Sequence, residues 1–339
     1  MNRRQLAVLG FLGSLAVMGL LLGYVGLEKI GAALSTASPR LLGLVALFGL
    51  GQIAAWGFSL RTVLDSLDVP VSRRKGVALY ATAMFANNVT PFGQAGGEPV
   101  TAYVINSVTD TRYESALAAI ATVDAAHVFT SVSIAVLGGL LSVTVFSPNR
   151  KLTLVILAVL GVAALVAVAG GLLLRYRRSI AEGLEAPVQR AIARLVAALP
   201  ESLSSMLRRA RRGFAAFVED LSRVADSRTA LVLALAYSSA GWLFEVGALG
   251  TALWGLGGPV PVATLLVVVP VGKLAGFMPL PGGFGSIEAT VVALLVATTP
   301  ASSGVATAAV LLHRAATYWL PTILGGGVSL GLGLKSRLA

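Results

Sequence analysis

The sequence lacks cysteine and contains only two histidines. It therefore offers no disulfide, no thiolate nucleophile and no zinc site of the usual Cys/His kind. Charged residues are also scarce, at 12% of the 339 residues. No Ser/His/Asp order and no cofactor fingerprint is found, so we expect no cofactor, and nothing in the sequence names an enzymatic reaction.

The chain is instead strongly hydrophobic, with 56% apolar residues and a mean hydropathy of +0.84. Apolar runs of about 20 residues are long enough to cross a hydrocarbon core about 30 Å thick. The sequence therefore predicts an all-α polytopic membrane protein. The N-terminal run is longer than the apolar part of a secretory signal, so we expect it to be kept as a span. The predicted full spans are 5–27, 41–60, 114–146, 152–174, 231–256 and 305–334.

Two similar motifs interrupt the apolar pattern. The stretches 91–98 and 281–288 share the spacing Pro, any residue, Gly, four residues, Glu, and lie 190 positions apart. Non-helical backbone at membrane depth is tolerated only where protein or water satisfies its polar groups. Each motif therefore predicts a broken, re-entrant helical hairpin that borders a cavity rather than lipid.

The spacing of 190 positions also aligns 40–60 with 230–250 and 115–145 with 305–335. This indicates two repeats, 1–150 and 151–339, with breaks at 87–99 and 279–288. Each repeat has three spans and one broken hairpin. Because three is an odd number, the second repeat would be inverted relative to the first. Whether 262–299 is a hairpin or two full spans stays open at this stage.

Basic residues predict the orientation. Arg3, Arg4 and the loop 61–75 carry positive charge on the same side of two spans, which indicates cytoplasmic N- and C-termini in the cell membrane. The segment 175–228 has eleven arginines, no lysine and six acidic residues. Its apolar residues recur every three or four positions, as in amphipathic helices lying on a membrane surface. The interspersed acids and the flanking spans argue against nucleic acid as the partner.

Ionisable groups at bilayer depth are costly, and each is a candidate functional residue. The ionisable candidates are Glu98, Asp124, His127, Glu245, Lys273, Glu288, His313 and Arg314. Polar or glycine residues beside the breaks add Asn87, Asn88, Gly96, Gly97, Gly283 and Gly285.

Glu98 and Glu288 are expected where the second arm of each hairpin begins, with Pro99 as a first helical residue and Ser286 as an N-cap. Free N–H groups there would hold an anion, and the glycines would let a headgroup approach the backbone. The alternative is that each carboxylate only complements its own helix dipole.

The roles of the remaining candidates stay open between structure and function. Arg314 and Lys273 either neutralise buried acids or supply charge for a phosphate group. His127 and His313 either relay protons or pack in the core. Asn87 and Asn88 either cap the broken arm or bind substrate. Four aromatic residues are expected to include interfacial anchors: Trp242, Trp254, Tyr318 and Trp319.

Three stretches together resemble the transmembrane region of the lysylphosphatidylglycerol synthases and their stand-alone, flippase-like relatives. They are 87–98, 281–288 and His313-Arg314 with Tyr318-Trp319-Leu320-Pro321. The resemblance implies a polytopic module that moves or presents lipids or lipid-linked intermediates across the bilayer. The chain departs from the family at Pro99-Val100-Thr101-Ala102, where an arginine is frequent, and at Asp124-Ala125, where a Glu-Arg pair is frequent. The segment 175–228 is too short for the soluble transferase domain of the synthases.

We therefore expect a lipid translocase with a central cavity between the two hairpins. An anionic headgroup would contact the half-helix ends and Arg314, while Glu98, Asp124 and Glu288 take protons or counter-cations. A membrane-embedded lipid-modifying transferase and a membrane scaffold for a partner enzyme are the alternatives. The expected partners are membrane lipids, with a partner enzyme or a second copy of the chain as further candidates.

Overall fold

A computed structural model describes residues 18–90, 93–145, 153–154, 157–158, 161, 201–278 and 280–338. Within these ranges every regular element is helical, which confirms the all-α class. Residues 18–25 are helical and precede the first complete helix. The helices are α1 (Leu27–Leu34), α2 (Pro39–Ser66), α3 (Arg73–Val89), α4 (Gln94–Thr109), α5 (Tyr113–Val145), α6 (Glu201–Asp226), α7 (Arg228–Gly255), α8 (Val262–Leu274), α9 (Ser286–Thr298), α10 (Ser303–Arg314) and α11 (Leu320–Leu338).

The long apolar helices match the predicted spans. Among the described residues, four stretches are long and apolar enough to cross a membrane: Pro39–Ser66, Tyr113–Val143, Arg228–Gly255 and Pro281–Thr298. The first three contain most of the predicted spans 41–60, 114–146 and 231–256. The predicted spans 5–27 and 152–174 lie largely outside the described residues. The predicted span 305–334 is α10 and α11, joined by a π-helical turn, Ala315–Trp319.

Serine side chains fix where four of these helices begin. Ser38 Oγ accepts a hydrogen bond from the backbone N–H of Leu41 at 3.2 Å at the start of α2. Ser72, Ser227 and Ser302 cap α3, α7 and α10 in the same way. Each cap satisfies one of the N–H groups that a helix N-terminus leaves without an intrahelical partner.

Among the described helices, α2 and α7 share the most extensive interface. Trp56 Nε1 donates to the carbonyl oxygen of Ser238 at 3.2 Å. Ser59 Oγ donates to the carbonyl oxygen of Ala234, also at 3.2 Å. Gly241 faces the Trp56 indole so closely that a Cβ there would overlap the ring. Small residues of this kind let membrane helices approach each other.

The first arm of each hairpin packs against a long helix from the other half of the sequence. Helix α3 packs against α11, and α8 packs against α5. Both contacts depend on glycine, because a Cβ on Gly325 would meet the backbone of Ala81 and one on Gly138 would meet Leu266. Each break therefore lies beside a helix contributed by the opposite half.

The first break lies between α3 and α4. Helix α4 begins at Gln94, with Gly93 as its N-cap at a φ of 54°. The prediction that Pro99 is a first helical residue is therefore wrong, since Pro99 lies inside α4. Gly93 adopts a positive φ, which glycine does readily, and the chain turns there, before Gly96 and Gly97. These two glycines therefore lie inside α4. The proline removes one intrahelical bond, which membrane helices tolerate when neighbouring groups compensate.

The second break is longer. Helix α8 ends at Leu274, and two 3-10 turns, Ala275–Phe277 and Pro281–Gly283, separate it from α9. The N-cap of α9 is Gly285, with a φ of 88°, and Ser286 is the first helical residue instead of the cap. The reason is conformational, because that φ suits glycine far better than serine. Helices α8 and α9 pack against each other and have 13 residues each.

Helix α6 confirms part of the predicted helical insertion, whose residues 175–200 lie outside the described ranges. It docks on the beginning of α5 through Asp220, which is 2% exposed. Asp220 Oδ2 accepts hydrogen bonds from Ser115 Oγ at 2.6 Å and from Arg112 Nη2 at 3.2 Å. Contact of α6 with a membrane surface stays a prediction.

Candidate functional site

The second break holds a buried ion pair. Arg314 Nε donates to Glu288 Oε1 at 2.6 Å, and the two side chains are 4% and 0% exposed. Glu288 Oε2 also accepts from the backbone N–H of Gly285 at 2.7 Å. Arg314 Nη2 donates to the carbonyl oxygen of Gly282 at 3.3 Å. One carboxylate is thus held by a guanidinium and by a free N–H at a helix N-terminus, the two groups that bind anions in proteins.

A second layer ties this pair to the first hairpin. The Arg314 guanidinium lies 4.4 Å from the centroid of the Tyr318 ring, a cation–π distance. Tyr318 Oη donates to the carbonyl oxygen of Asn88 at 3.3 Å. Asn88 Nδ2 donates to Thr322 Oγ1 at 2.8 Å. Asn88 therefore neither caps its own arm nor faces an open site, but joins the end of α3 to the π-helical turn that follows Arg314 and to the start of α11.

The glycines of the second break allow this approach. A Cβ on Gly282 would lie 2.5 Å from the Tyr318 ring and 3.0 Å from the Cα of Asn88. Gly283 has a φ of 65° and packs against Gly276 and Ile287. The sequence predicted that Gly283 and Gly285 let a lipid headgroup approach the backbone. In the structure the groups that lie against them belong to the protein itself: Gly276 and Ile287 at Gly283, and the Glu288 carboxylate at Gly285.

A second buried pair lies at the centre of the molecule. Lys273 Nζ lies 2.6 Å from Glu245 Oε1, with side-chain exposures of 25% and 0%. Gln52 Nε2 donates to the same oxygen of Glu245. Glu245 Oε2 and Gln52 Oε1 have no hydrogen-bond partner among the described residues. Buried polar atoms usually have a hydrogen-bond partner. These two oxygens could therefore accept a hydrogen bond from water or from a ligand group.

The first break brings two acids together. Glu98 and Asp124 line a cavity of about 20 Å³ with Asn87 and Tyr80, and their carboxyl groups are in hydrogen-bonding contact. Glu98 is not in the first turn of α4, which contains no acidic residue. The prediction that Glu98 stands at the beginning of its helix is therefore wrong, because α4 begins four residues earlier.

Gly97 brings α4 against α3. A Cβ on Gly97 would overlap Asn87 Oδ1 and lie 2.6 Å from the Asn87 backbone nitrogen. The Gly96 N–H donates to the carbonyl oxygen of Gly93 at 3.2 Å, so Gly96 belongs to the first turn. Asn87 Oδ1 is buried without a hydrogen-bond partner in the described part of the chain. This oxygen is thus a hydrogen-bond acceptor beside the two acids that no described residue uses.

The two histidines are both buried. His127 stacks at a tilt on Trp56, with ring centroids 4.6 Å apart, and its Nδ1 lies 3.4 Å from Tyr80 Oη. The same nitrogen is 4.0 Å from Asp124 Oδ1. His313 is 2% exposed and lies near the central pair, where it interacts with the Glu245 backbone and electrostatically with Lys273. His127 is therefore placed beside the acids of the first break, whereas His313 is not.

The structure sorts the predicted site residues into three groups. The first-break group consists of Asn87, Gly96, Gly97, Glu98, Asp124 and His127. The central group is Glu245 and Lys273. The second-break group consists of Asn88, Gly283, Gly285, Glu288 and Arg314, with His313 next to it in sequence. Their chemistry differs, because the second break has a permanent cation and the first has two acids.

Several contributing residues were not among the sequence candidates. Gln52 is a polar residue in an otherwise apolar predicted span, and this feature of the sequence could have identified it. Tyr80 gave a weaker signal, because a lone tyrosine in an apolar arm is common. Two of the expected interfacial aromatics, Trp242 and Tyr318, are instead 7% exposed. Trp254 and Trp319 are 68% and 48% exposed and remain candidates for anchors.

Comparison with known proteins identifies related sequences. The family described as the lysylphosphatidylglycerol synthase TM region matches residues 7–325. A UPF0104 membrane protein of Methanothermobacter thermautotrophicus is 28% identical over 96% of this chain and 92% of its own length. A second protein of the same description and organism is 24% identical over 94% of this chain and 93% of its own length.

A UPF0104 membrane protein of Pyrococcus horikoshii gives the same picture. It is 26% identical to this chain over 91% of both lengths. The similarity therefore extends over both breaks and over all the helices from α1 to α10, not over a single motif.

Proposed function

Because the chain belongs to the lysylphosphatidylglycerol synthase TM region family, we propose that this membrane protein moves an anionic lipid, or a lipid-linked headgroup, across the cell membrane. Membrane lipids are then its partners. The observation that carries the proposal is the buried Arg314 at the second break, together with the Gly285 N–H. A protein that needed only a stable membrane core would gain little from burying this charge.

Glu288 occupies the position in which a substrate anion would be held. Its carboxylate accepts from Arg314 Nε and from the Gly285 N–H. A phosphate oxygen makes the same two kinds of contact. Because Glu288 is 0% exposed, the site is closed in this conformation. Transport would require Glu288 to release Arg314 to the headgroup, and to take it back when the headgroup leaves.

We also propose that the two halves, 1–150 and 151–339, are inverted repeats around this closed pathway. The exchanged packing of α3 on α11 and of α8 on α5 supports a pseudo-two-fold arrangement. At about 1.5 Å per residue, the 13 residues of α8 extend about 20 Å, which is less than a hydrocarbon core of about 30 Å. Helix α9 together with the turn before it, Pro281–Thr298, is long and apolar enough to cross. The length of α8 is therefore what supports a re-entrant first arm.

The proposed orientation follows the charge of the loops. Arg73, Arg74 and Lys75 begin α3, and α6 packs against the nearby start of α5. The positive-inside rule then puts this end of the molecule, both chain termini and the insertion 175–228 in the cytoplasm. Under this orientation the first hairpin enters from the cytoplasm and the second from outside.

Headgroup movement in liposomes tests the site. The protein is reconstituted with a fluorescent anionic phospholipid, and a membrane-impermeant quencher reports how fast inner-leaflet label reaches the outside. Arg314→Lys keeps the charge but loses the planar fork and its bond to Gly282, so we expect it to abolish the movement. Glu288→Gln, which leaves Arg314 permanently available, should change the rate as well.

A matched control is Arg61→Lys, which alters a partly exposed arginine paired with Asp65 at 2.9 Å. It should move lipid at the wild-type rate. Wild-type rates in both Arg314→Lys and Glu288→Gln would remove the site assignment. A covalently altered lipid formed in detergent would favour the transferase alternative instead.

A further inference from the structure

Glu98 and Asp124 contact each other at the first break in a way that two ionised carboxylates would not. Their side chains are in hydrogen-bonding contact. An ionised carboxylate only accepts hydrogen bonds, so a bond between two carboxyl groups requires a proton on one of them. Closely placed carboxyl pairs in other proteins share one proton for the same reason.

A cavity and a histidine adjoin the pair. The cavity between Glu98, Asp124 and Asn87 has a volume of about 20 Å³, and about 10–15 Å³ is enough for one water molecule. His127 Nδ1 lies 4.0 Å from Asp124 Oδ1, and its side chain is 7% exposed. Its Nε2 has no hydrogen-bond partner among the described residues. A water position and an imidazole with a vacant nitrogen are the parts of a proton path.

The other charged and titratable groups around the pair come from three more helices. Tyr80 of α3 interacts electrostatically with Asp124 and with Glu245 of α7. Lys273 of α8 interacts electrostatically with His127, but its ion pair is with Glu245. No side chain of the described part of the chain forms an ion pair with Glu98 in the way that Arg314 does with Glu288.

We propose that Glu98 and Asp124 form a proton-binding site in which one proton is shared between the two carboxyl groups and exchanged through the adjoining cavity. The further step, that this proton is the coupling ion of transport, rests on the proposed lipid movement. Glu288, which the sequence placed in the same role, is instead paired with Arg314.

Infrared spectroscopy of the purified protein tests the site without any transport. In an ester-free detergent at neutral pH, the wild type should show the carbonyl band of a protonated carboxylic acid, which shifts in heavy water. Glu98→Gln and Asp124→Asn should each shift or abolish that band, because each replaces one of the two carboxyl groups that share the proton. Both variants keep a hydrogen-bonding side chain of the same shape.

Glu288→Gln and Asp65→Asn serve as controls and should keep the band, since one removes an ion-paired carboxylate and the other a partly exposed one. A wild type without the band contradicts the proposal. So does a band that is unchanged in either variant, because that proton would then belong to the other residue alone and would not be shared.

Proton flux tests the coupling separately. Liposomes that hold a pH-sensitive dye should acidify or alkalise as the wild type moves the fluorescent anionic phospholipid. Asp124→Asn should uncouple the two processes, so that lipid moves without a change in dye signal. Lipid movement without proton flux in the wild type would overturn the coupling step. Failure of the wild type to move lipid would overturn the proposed function, while the infrared result still decides the site.

Discussion

The two broken hairpins differ most at a pair of positions that the spacing of 190 residues makes equivalent. In the first half the pair is Glu98 and Asp124, and in the second it is Glu288 and Arg314. Both pairs are in contact. Positions that are 190 residues apart in the sequence therefore hold a pair of acids in the first half and an acid with a permanent cation in the second.

The backbone explains why the two glutamates behave differently. Helix α9 begins two residues before Glu288, so the carboxylate reaches back to the Gly285 N–H. Helix α4 begins four residues before Glu98, which places that side chain beyond the first turn and toward Asp124. A shift in the helix start of half a turn thus separates the break that holds the Glu288–Arg314 ion pair from the break that pairs two acids.

The largest effect should come from Arg314→Ala. It leaves Glu288 charged and buried with one remaining hydrogen bond, and breaking a buried ion pair in this way costs about 3–5 kcal/mol. We expect a large fall in the thermal unfolding temperature in detergent. Glu288→Ala combined with Arg314→Ala should cost less than the sum of the two single changes, because neither charge is then left alone. Additive costs would mean that the two side chains do not depend on each other.

Gly282→Ala should have the next largest effect, because two costs combine. An alanine at a φ of 54° is strained, by about 1–3 kcal/mol. Its Cβ would also press on Tyr318 and Asn88, which costs about 1–3 kcal/mol more. Gly257→Ala is the matched control, with a φ of 70° and nothing within 4 Å of the added Cβ. Equal unfolding temperatures for the two variants would mean that the contact to Asn88 does not constrain the second break.

Lys273→Ala should lower the free energy of unfolding by less than Arg314→Ala does. We expect about 1–3 kcal/mol, because that is the range for leaving a buried acceptor with one donor fewer. Glu245 keeps its bond from Gln52, and the lysine side chain is 25% exposed, so water reaches part of the vacated space. Chemical denaturation of the two variants in the same detergent measures the difference. A larger loss for Lys273→Ala would place the main electrostatic constraint at the centre instead of at the second break.

Asp124→Asn should have the smallest effect, below about 1 kcal/mol, because an amide of the same shape can replace the carboxyl group in its contact with Glu98. The change in unfolding temperature should be near zero, in contrast with the equivalent position in the second half. A fall as large as that of Arg314→Ala would mean that Asp124 carries a charge that its surroundings stabilise.

The sequence was sufficient to predict the spans that became α2, α5 and α7, because long apolar runs have few other solutions in a membrane. It also predicted that Glu288 lies in the first turn of its helix, since a glycine-rich turn followed by an acid is a strong N-terminal signal. Seven of the eight ionisable candidates form an ion pair or a side-chain contact with another of the eight.

Two features could not be predicted. Whether α4 begins after Gly93 or at Pro99 depends on a positive φ at Gly93, and both glycine and proline are common at helix starts. The partners of the buried charges depend on contacts across the chain, such as Arg314 with Glu288 and Asn88 with Thr322. The spacing of apolar residues shows which side of a helix is apolar, but it does not show which other helix packs against that side.

The central claim is that Glu288 occupies an anion site built around Arg314, and stabilisation by lipid tests it most directly. Phosphatidylglycerol, added to the protein in detergent, should raise the unfolding temperature of the wild type, because a ligand stabilises the state that it binds. The rise should be larger for Glu288→Gln, which removes the competing carboxylate, and absent for Arg314→Lys. Zwitterionic phosphatidylcholine should have little effect on any of them. An equal rise in all three proteins would contradict the claim.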